Sequence, residues 1–328
     1  MVGLGVGMEH ARAYLGTGEC ELRWVYDIDH AKARAAASSL GTGEVASSFE
    51  QILGDPRVGI VSIASYDDAH FQQVMASLSA GKHVFVEKPM CRTYQEIAAI
   101  SELWSSRGGS LKLASNLVLR QAPVYRWLKE AIDDGEFGRV YAFDGDYLYG
   151  RLEKLTAGWR RDVKDYSVVF GGGIHLIDLM IWLSGERPRT VAAVGNRICT
   201  EGTDFTYRDF AAAQFISPSG MVGRVTSNFG CVHRHQHVVR VFGTQRTFLH
   251  DDAGPRIHTT RDAAGRGEPL PLETLPPTKG ELIPEFVSAV RTDRDSSAET
   301  RAVFDVLSIC AACDSSLTTG KVEEIRYP

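Results

Sequence analysis

Residues 81–89, Gly-Lys-His-Val-Phe-Val-Glu-Lys-Pro, decide how the rest of the chain is interpreted. His83 to Val86 is a short run of β-branched and aromatic residues after a glycine, and it predicts a buried strand of a parallel sheet. Ligands bind at the carboxyl ends of the strands in such sheets, and this strand runs directly into Glu87, Lys88 and Pro89. We therefore expect a site here, although an arbitrary Glu-Lys-Pro is more often a surface ion pair.

Each of these three residues has a chemistry that suits a site. A lysine held partly out of water loses some of its preference for the charged form and can exchange a proton near neutral pH. Glu87 can accept a hydrogen bond from a ligand hydroxyl. Pro89 stiffens the turn, and the peptide bond before it is a candidate for the cis form.

Length, charge and cysteine usage exclude several classes of protein. The chain has 328 residues and a net charge of −5, which suits two domains and predicts no nucleic-acid partner. We find no apolar run near the roughly 20 residues that span a bilayer and no leader-like opening, so we expect no membrane. Six scattered cysteines suit reduced thiols in the cytoplasm, and we interpret Cys310 and Cys313 as core thiols of a helix.

The chain opens with a glycine-rich turn between a strand and a helix. Glycines there let the backbone approach a diphosphate, which the N-terminus of the next helix attracts. The spacing is G-x-G-x-G, so a methionine takes the usual third glycine position. Only two residues precede the turn, so either the chain starts upstream or the middle strand is a stub. The candidate cofactor-binding residues are Gly3, Gly5, Val6, Gly7 and Met8.

A second strand pattern, Glu21 to Tyr26, ends at Asp27. This acid lies about twenty residues past the glycines, where a carboxylate takes the ribose hydroxyls of adenosine and repels a 2′-phosphate. It favours NAD over NADP, while a helix N-cap role suits Asp29 better. Five or six strands alternate with helices in residues 1–116, which predicts a doubly wound parallel sheet.

Residues 117–328 have a different pattern. A helix is followed by several alternating strands, which predicts an α+β domain with a large open, mostly antiparallel sheet. Asp251 to Pro277 is rich in glycine, proline and charge, so we interpret it as a surface excursion. Two final helices, Glu281 to Thr292 and Glu299 to Leu317, are expected to pack back on the first domain.

Taken together, these stretches resemble the glucose-fructose oxidoreductase / inositol dehydrogenase / rhizopine-catabolism (Gfo/Idh/MocA) family over essentially the whole chain. The combination of a Glu-Lys-Pro strand with a downstream Gly-x-His-x-x-Asp is specific, whereas either alone is not. The matching stretches after the glycine turn are residues 80–89, Gly135-Glu136-Phe137-Gly138, Trp159-Arg160 and Gly171-Gly172-Gly173-Ile174-His175-Leu176-Ile177-Asp178.

The resemblance implies a Rossmann domain that carries NAD(P) and a second domain whose open sheet mediates oligomerisation, so we expect a homodimer or homotetramer. By this match Lys88 is the catalytic lysine, His175 the active-site histidine, and Glu87 a neighbour of the nicotinamide ribose. Ser65 and His70 match the segment that borders the cofactor.

The sequence departs from the family at one position. Many dehydrogenases of the family carry an aspartate four residues before the histidine, and Gly171 stands there. A relay that needs a carboxylate on that side is therefore in doubt. Asp178 lies one helical turn after His175 on the same face, where it could orient the imidazole or the substrate. The alternative for Asp178 is a solvated helix acid.

Other polar residues have two interpretations each. Asn116 and Arg120 could reach a cofactor or a polyol, and a role at the domain junction is equally suitable. Trp159 could anchor a loop with its indole, while Arg160 could meet a diphosphate or a sugar. A further group, His233, His235 and His237, alternates along a predicted strand and shares a face. Side chains two apart are awkward ligands for one small ion, so we expect a polar sheet face that lines a subunit contact or the substrate site, and no metal.

The favoured function is transfer of a hydride between NAD and a secondary alcohol or ketone of a sugar, cyclitol or nucleotide-linked sugar. Lys88 and His175 would share proton transfer and stabilisation of the alkoxide. A non-catalytic NAD-binding regulator and an NAD-dependent glycosidase on the same fold are the alternatives. A metal hydrolase built on the histidine strand ranks last.

Overall fold

The computed structural model describes residues 1–328, and the chain divides into two compact units. Unit 1 comprises Met1–Val118, Pro276–Phe304 and Pro328, and unit 2 comprises Leu119–Leu275 and Asp305–Tyr327.

Unit 1 alternates short strands with helices. Its strands are β1 (Trp24–Val25), β2 (Glu44–Val45), β3 (Ile60–Ile63), β4 (His83–Val86) and β5 (Leu113–Ser115). Its first five helices are α1 (Gly7–Gly16), α2 (His30–Leu40), α3 (Phe49–Gly54), α4 (His70–Ser79) and α5 (Tyr94–Ser106). Side-chain caps fix where three of them begin: Asp29 accepts from the first turn of α2, Ser48 accepts from Gln51 on α3, and Thr93 forms a capping box with Glu96 on α5.

The strands of unit 1 are all parallel, and Val2 lies at their centre. β1 pairs with β2, and β3, β4 and β5 form a second sheet. Val2 makes parallel bridges to both Tyr26 and Ile63, its N–H donates to the carbonyl of Ser62 at 2.9 Å, and its own carbonyl accepts from Ala64 at 2.7 Å. The resulting order, β2-β1-Val2-β3-β4-β5, is that of a doubly wound nucleotide-binding sheet. Its middle strand is a stub of one bridging residue.

The second strand is shorter than predicted. The pattern from Glu21 to Tyr26 forms β1 over Trp24 and Val25 only, because its partner β2 offers two residues for pairing. β4 begins and ends where the sequence predicts, and Asp29 is the N-cap of α2 as expected.

Unit 2 is built on a nine-stranded sheet. Helices α6 (Pro123–Asp133), α7 (Glu153–Thr156) and α8 (Ile174–Ser184) belong to it. Its strands are β6 (Val140–Leu148), β7 (Thr190–Asn196), β8 (Phe210–Ile216), β9 (Val222–Asn228), β10 (Gln236–Gly243), β11 (Thr247–Asp251), β12 (Gly254–His258), β13 (Glu268–Pro269) and β14 (Glu323–Glu324). The order is β13-β12-β11-β10-β6-β9-β8-β7-β14. Only β6 and β9 pair in parallel, so the sheet is mostly antiparallel as predicted.

The segment from Asp251 to Pro277 is not merely a surface excursion, and that prediction is wrong in part. Gly254 has a φ of +84°, which glycine adopts without strain. This lets the chain turn back at once, so that β12 pairs with β11 in antiparallel register. β13 then adds a final edge strand. The glycines and charges of this segment therefore belong to hairpin turns and a sheet edge.

The last two helices are α9 (Ile283–Thr292) and α10 (Ser297–Thr319). In α9, Phe286 is buried and its ring centroid lies 5.4 Å from that of Phe85 on β4. α10 corrects the expectation that no long apolar run exists, because it has the length and composition of a membrane span. However, 61% of its apolar window is buried inside the protein, and the buried side chains of Thr300, Ser308 and Ser316 interrupt it. We interpret it as a core helix.

Candidate active site

The carboxylate of Glu87, at the end of β4, is held by three donors. Its Oε1 accepts from Asn116 Nδ2 at 2.7 Å and lies 3.0 Å from Nε2 of His10, and its Oε2 accepts from the backbone N–H of Lys88 at 3.2 Å. Burial alone would raise the pKa of Glu87, but His10, Asn116 and the charge of Lys88 together lower it to about 2. Glu87 is therefore a fixed anion rather than a group that exchanges protons near pH 7.

His10 on α1 is a site residue that sequence reasoning missed. It is fully buried, and its Nδ1 lies 3.2 Å from the hydroxyl of Ser62. Since a carboxylate only accepts hydrogen bonds, the Nε2 that faces Glu87 carries the hydrogen. The only sequence feature that could have identified it is its position three residues after Gly7. Residues three apart share a helix face, so His10 lies on the same face of α1 as Gly7.

Next to Glu87, the Lys88–Pro89 peptide bond is in the cis form that the sequence analysis considered for it. Lys88 is half-buried. His70 contacts this turn, because its Nδ1 lies 2.7 Å from the carbonyl of Pro89 and its Nε2 lies 3.2 Å from the carbonyl of Ser65. The ring of His70 is fully buried. We therefore correct its expected role: it braces two backbone segments, and its side chain does not present a group to a cofactor.

The glycine turn has the shape that a dinucleotide requires. At Gly3, where φ is +79°, a Cβ would overlap the backbone of Ala64 and Ser65, so only glycine fits. At Gly5 a Cβ would meet nothing within 4 Å, so this part of the turn is open. Gly7 begins α1, whose first N–H groups point out of the helix and attract anions.

Asp27, after β1, connects this turn to the sheet. Its Oδ2 accepts from the backbone N–H of Leu4 at 2.8 Å and forms an ion pair with Lys32 at 3.0 Å, while its Oδ1 accepts from the N–H of Asp29 at 3.1 Å. Burial raises the pKa of Asp27, but these donors lower it more, so the net shift is downward. A carboxylate has about four acceptor positions, so one remains for a ribose hydroxyl.

These residues fit a bound dinucleotide. The open Gly5, the helix N-terminus at Gly7 and the carboxylate of Asp27 suit a diphosphate and an adenosine ribose. At the other end, the side chain of Asn116 is buried, and its Oδ1 has no hydrogen-bond partner within the protein. Ser65 lies beside Gly3, and its hydroxyl donates to Gln73 at 2.6 Å. Met8 is half-buried on α1.

In unit 2, His175 is positioned by a glycine-rich turn that packs directly on the sheet. Val169–Gly173 forms a π-helical turn that continues into α8, a feature often found at functional sites. A Cβ at Gly172 would overlap the ring of Tyr147, and one at Gly173 would overlap the hydroxyl of Ser227. The glycines therefore let the start of α8 approach the sheet closely enough for His175 to reach its rings.

His175 belongs to a group of five rings that we name the ring cluster: Tyr147, Tyr149, His175, His235 and His237. The ring centroid of Tyr147 lies 6.3 Å from that of His175, 5.2 Å from His235 and 5.3 Å from His237. Those of His175 and His237 are 5.8 Å apart. Burial raises the pKa of the Tyr147 phenol, so it stays neutral. Neither tyrosine was predicted, because only the pairing of β6 with β10 puts Tyr147 opposite His237.

The prediction that three histidines share one strand face is wrong for His233. β10 begins at Gln236, which pairs with Leu148, the last residue of β6; earlier residues have no partner strand. His233 instead pairs with the exposed Asp252 at 3.2 Å. Only His235 and His237 contact each other, with ring centroids 5.0 Å apart. No group of three or more His, Cys, Asp or Glu side chains in the chain is arranged to hold a metal ion.

Asp178 is neither a solvated acid nor directed at His175, so both expectations are corrected. It is fully buried on α8, and Nε of Arg120 donates to both of its oxygens, at 3.1 and 3.0 Å. Burial raises the pKa of Asp178, against the lowering effect of Arg120. The two residues form a buried ion pair that ties α8 to the chain before α6. Arg120 is therefore held by Asp178, and its contact with a polyol stays a prediction.

Trp159 and Arg160 lie in a short 3₁₀ turn. The indole is half-exposed rather than buried. The guanidinium carbon of Arg160 lies 4.5 Å from the ring centroid of Trp159 and 5.7 Å from that of Tyr149, and its Nε donates to the hydroxyl of Tyr166 at 2.9 Å. A Cβ at Gly171 would overlap that hydroxyl. A tyrosine held by an arginine thus fills the space beside Gly171.

With this geometry in view, the comparisons with known proteins define the class. Residues 1–114 match the model described as "Oxidoreductase family, NAD-binding Rossmann fold", and residues 125–249 match the "GFO/IDH/MocA C-terminal domain". The chain belongs to the Gfo/Idh/MocA family of oxidoreductases.

Individual relatives are more distant. The chain is 29% identical over 170 residues to a 1,5-anhydro-D-fructose reductase from Ensifer adhaerens, covering 50% of this chain and 49% of the relative. It is 28% identical over 195 residues to inositol 2-dehydrogenase 2 from Saccharopolyspora erythraea, covering 59% and 55%. The match thus spans about half the length of these curated relatives.

A solved structure shares the fold over nearly its whole length. This is a scyllo-inositol dehydrogenase from Lactobacillus casei with bound NAD(H) and scyllo-inositol, at 18% identity and a TM-score of 0.80. The alignment covers 98% of this chain and 97% of that one.

Proposed function

We propose that this protein is an NAD-dependent oxidoreductase that transfers a hydride between nicotinamide and a secondary alcohol or ketone of a sugar, cyclitol or nucleotide-linked sugar. The observation that carries the proposal is the end of β4, where Lys88 follows a half-buried, ionised Glu87 in the sheet that also carries the open glycine turn. The family membership and the names of the two relatives support the substrate class.

In this proposal Lys88 and His175 share the stabilisation of alkoxide-like charge and the proton transfer. Bound NAD would supply or accept the hydride. The anionic Glu87 beside Lys88 stabilises a positive charge on the amine, so Lys88 holds the substrate oxygen and stabilises its developing negative charge. His175 then gives or takes the proton, which suits an imidazole near neutral pH. Arg160 and Trp159 are candidates for substrate contacts beside the ring cluster.

The preference for NAD over NADP is also a proposal. It rests on Asp27, whose carboxylate is ionised and lies where a 2′-phosphate would be repelled. Lys32 beside it partly offsets that repulsion, so we expect a preference rather than complete exclusion. The bound NAD(H) in the Lactobacillus casei structure supports the same cofactor.

We also propose that the protein acts in the cytoplasm as a homodimer or homotetramer that uses the open face of the nine-stranded sheet. All six cysteines are free thiols, which suits a reducing compartment. Val194, Ile216 and Val222 leave 71%, 46% and 42% of their surfaces exposed on that face. Light scattering on the purified protein tests the subunit count, and Val194→Asp should shift it toward the monomer.

The function is tested by mixing protein and NAD with a panel of sugars and cyclitols while absorbance near 340 nm is followed. We expect NADH to form with at least one member, and Lys88→Met to lower that rate at least about 100-fold. Lys321→Met, at an exposed lysine near the C-terminus, is the matched control and should leave the rate unchanged. Binding of NADH without turnover of any polyol, in either direction, would favour the regulator instead.

A further inference from the structure

The side-chain amide of Asn116 has a fixed orientation. Asn116 follows β5, and its side chain Nδ2 donates to Glu87 Oε1 at 2.7 Å and to the carbonyl of Lys279 at 2.8 Å. A carboxylate and a carbonyl can only accept, so the nitrogen must face them. The oxygen of the amide therefore points the other way, and this assignment follows from the partners rather than from the shape of the amide.

That oxygen lacks a donor. Asn116 is 2% exposed, and its Oδ1 is buried with no hydrogen-bond partner in the protein. Buried polar atoms in native structures nearly always have a partner, so an exception requires an explanation. A ligand that brings an N–H or O–H to this atom would supply it.

The position of Asn116 indicates which ligand this is. Its backbone N–H donates to the carbonyl of Val86 at 2.9 Å, so it lies beside Glu87 and Lys88 at the carboxyl edge of the sheet. Bound nicotinamide is expected at this edge, and its carboxamide carries an N–H donor. The ribose hydroxyls are the other donors of the cofactor within this region.

His10 stabilises the hydrogen bond between Asn116 and Glu87. It donates to the same Glu87 oxygen that Asn116 contacts, and it lies on α1 directly after the glycine turn. If His10 were lost, the carboxylate would be free to turn and Asn116 would lose one of the two acceptors that fix its nitrogen. The Nε2 of His10 also lies 3.2 Å from Asn116 Nδ2, so His10 contacts the amide directly as well as through Glu87.

We propose that Asn116 Oδ1 accepts a hydrogen bond from the carboxamide of nicotinamide, and that His10 is the positioning residue that aims it through Glu87. This inference rests on NAD being the cofactor. It gives the buried histidine and asparagine a role in recognising the reactive end of the dinucleotide, whereas Asp27 and the glycine turn recognise its adenosine and diphosphate.

The test compares binding of NADH with that of reduced 3-acetylpyridine adenine dinucleotide, which lacks the carboxamide N–H but keeps both riboses. Calorimetry without substrate measures each Kd, so no turnover is needed. The wild type should bind NADH about tenfold more tightly, the order expected for one neutral hydrogen bond. Asn116→Leu should bind both dinucleotides with nearly equal Kd. If the wild type binds NADH and the acetylpyridine analogue with equal affinity, that result alone overturns the proposal.

His10 is tested by a conservative and a disruptive variant. His10→Gln keeps an N–H that can reach Glu87 and should retain most of the preference for NADH, while His10→Leu should lose it. Ser62→Ala removes the other contact of the ring and is the matched control, with the preference unchanged.

If Asn116→Leu weakens the binding of both dinucleotides equally, a ribose hydroxyl is the donor and the carboxamide assignment is wrong. If the protein oxidises a polyol but binds the two dinucleotides equally, only this inference is contradicted. If it prefers NADH but oxidises no polyol, only the proposed function is contradicted.

Discussion

The end of β4 in unit 1 and the ring cluster in unit 2 reach a fixed geometry by different means. At the end of β4, the half-buried Glu87 is held by three hydrogen bonds, and its pKa is lowered to about 2. In the ring cluster, His175 is held by ring contacts, with centroids 5.8 and 6.3 Å from those of His237 and Tyr147. The first region is therefore a fixed charge, and in the second an imidazole packs against neighbouring rings.

This difference suggests a division of labour. A carboxylate that stays ionised gives its neighbour Lys88 a constant electrostatic environment. The neutral ring of Tyr147 restricts the orientation of the imidazole without adding a charge. In the proposed function a proton moves at His175 while the carboxylate of Glu87 stays ionised.

The largest expected effect comes from removing the imidazole of the ring cluster that the proposal assigns to proton transfer. His175→Leu should lower kcat about 10²- to 10⁴-fold, since it removes the proposed general acid or base. His233→Leu is the matched control, because this histidine lies outside the ring cluster and pairs with Asp252. Initial rates on the best polyol measure both. Equal losses in the two variants would show that membership of the ring cluster does not matter.

A second prediction separates structure from chemistry on α8. Asp178→Ala should destabilise unit 2 by about 3–5 kcal/mol, because it removes the carboxylate that pairs with the largely buried guanidinium of Arg120. Glu285→Ala, which breaks the exposed pair with Arg294, should cost under about 1 kcal/mol. Chemical denaturation measures both. If Asp178→Ala folds normally but is inactive, the carboxylate acts in catalysis after all.

The fixed charge at the end of β4 predicts a pH dependence of stability. The pKa of Glu87 is lowered from 4.5 to about 2, so ionised Glu87 stabilises the fold by about 3 kcal/mol above pH 4.5. This contribution is lost as the pH falls from 4.5 toward 2.

Denaturation of the wild type and Glu87→Gln from pH 7 to pH 2 measures this effect. The difference in free energy of unfolding should be constant above pH 5 and shrink below it. Glu102→Gln, at an exposed position on α5, should show no such trend. A difference between wild type and Glu87→Gln that does not change with pH would contradict the ion's role.

The smallest effect concerns how α8 approaches the sheet. Gly172→Ala should cost about 1–3 kcal/mol, because its Cβ would overlap the ring of Tyr147 and force it aside. Gly16→Ala is the matched control, since a Cβ at this exposed helix position meets nothing within 4 Å. It should be neutral or slightly stabilising. Thermal unfolding distinguishes the two, and equal midpoints would mean that Tyr147 adjusts freely.

The sequence predicted the parts of each region that are local. Strand β4, the glycine turn, Asp27 and the start of α8 near His175 all depend on residues close together in the chain. The resemblance to the family then supplied roles for Lys88 and His175. These roles could be read from motifs because each motif carries its own structural context.

What was missed depends on contacts between distant residues. His10 meets Glu87 from 77 residues away, and Arg120 meets Asp178 from 58 residues away. No local pattern identifies such partners, since a buried ion pair and a solvated acid look alike in sequence. Tyr147 joined His237 only through strand pairing, whose register the sequence left open.

The most direct test of the central claim follows the hydride itself. A polyol deuterated at its reactive carbon is incubated with protein and NAD, and the reduced cofactor is analysed by mass spectrometry and NMR. The account predicts one deuterium at C4 of the nicotinamide, on a single face, with Lys88→Met and His175→Leu both slowing its appearance. Reduced cofactor that contains no deuterium, or none formed from any polyol that binds, would contradict it.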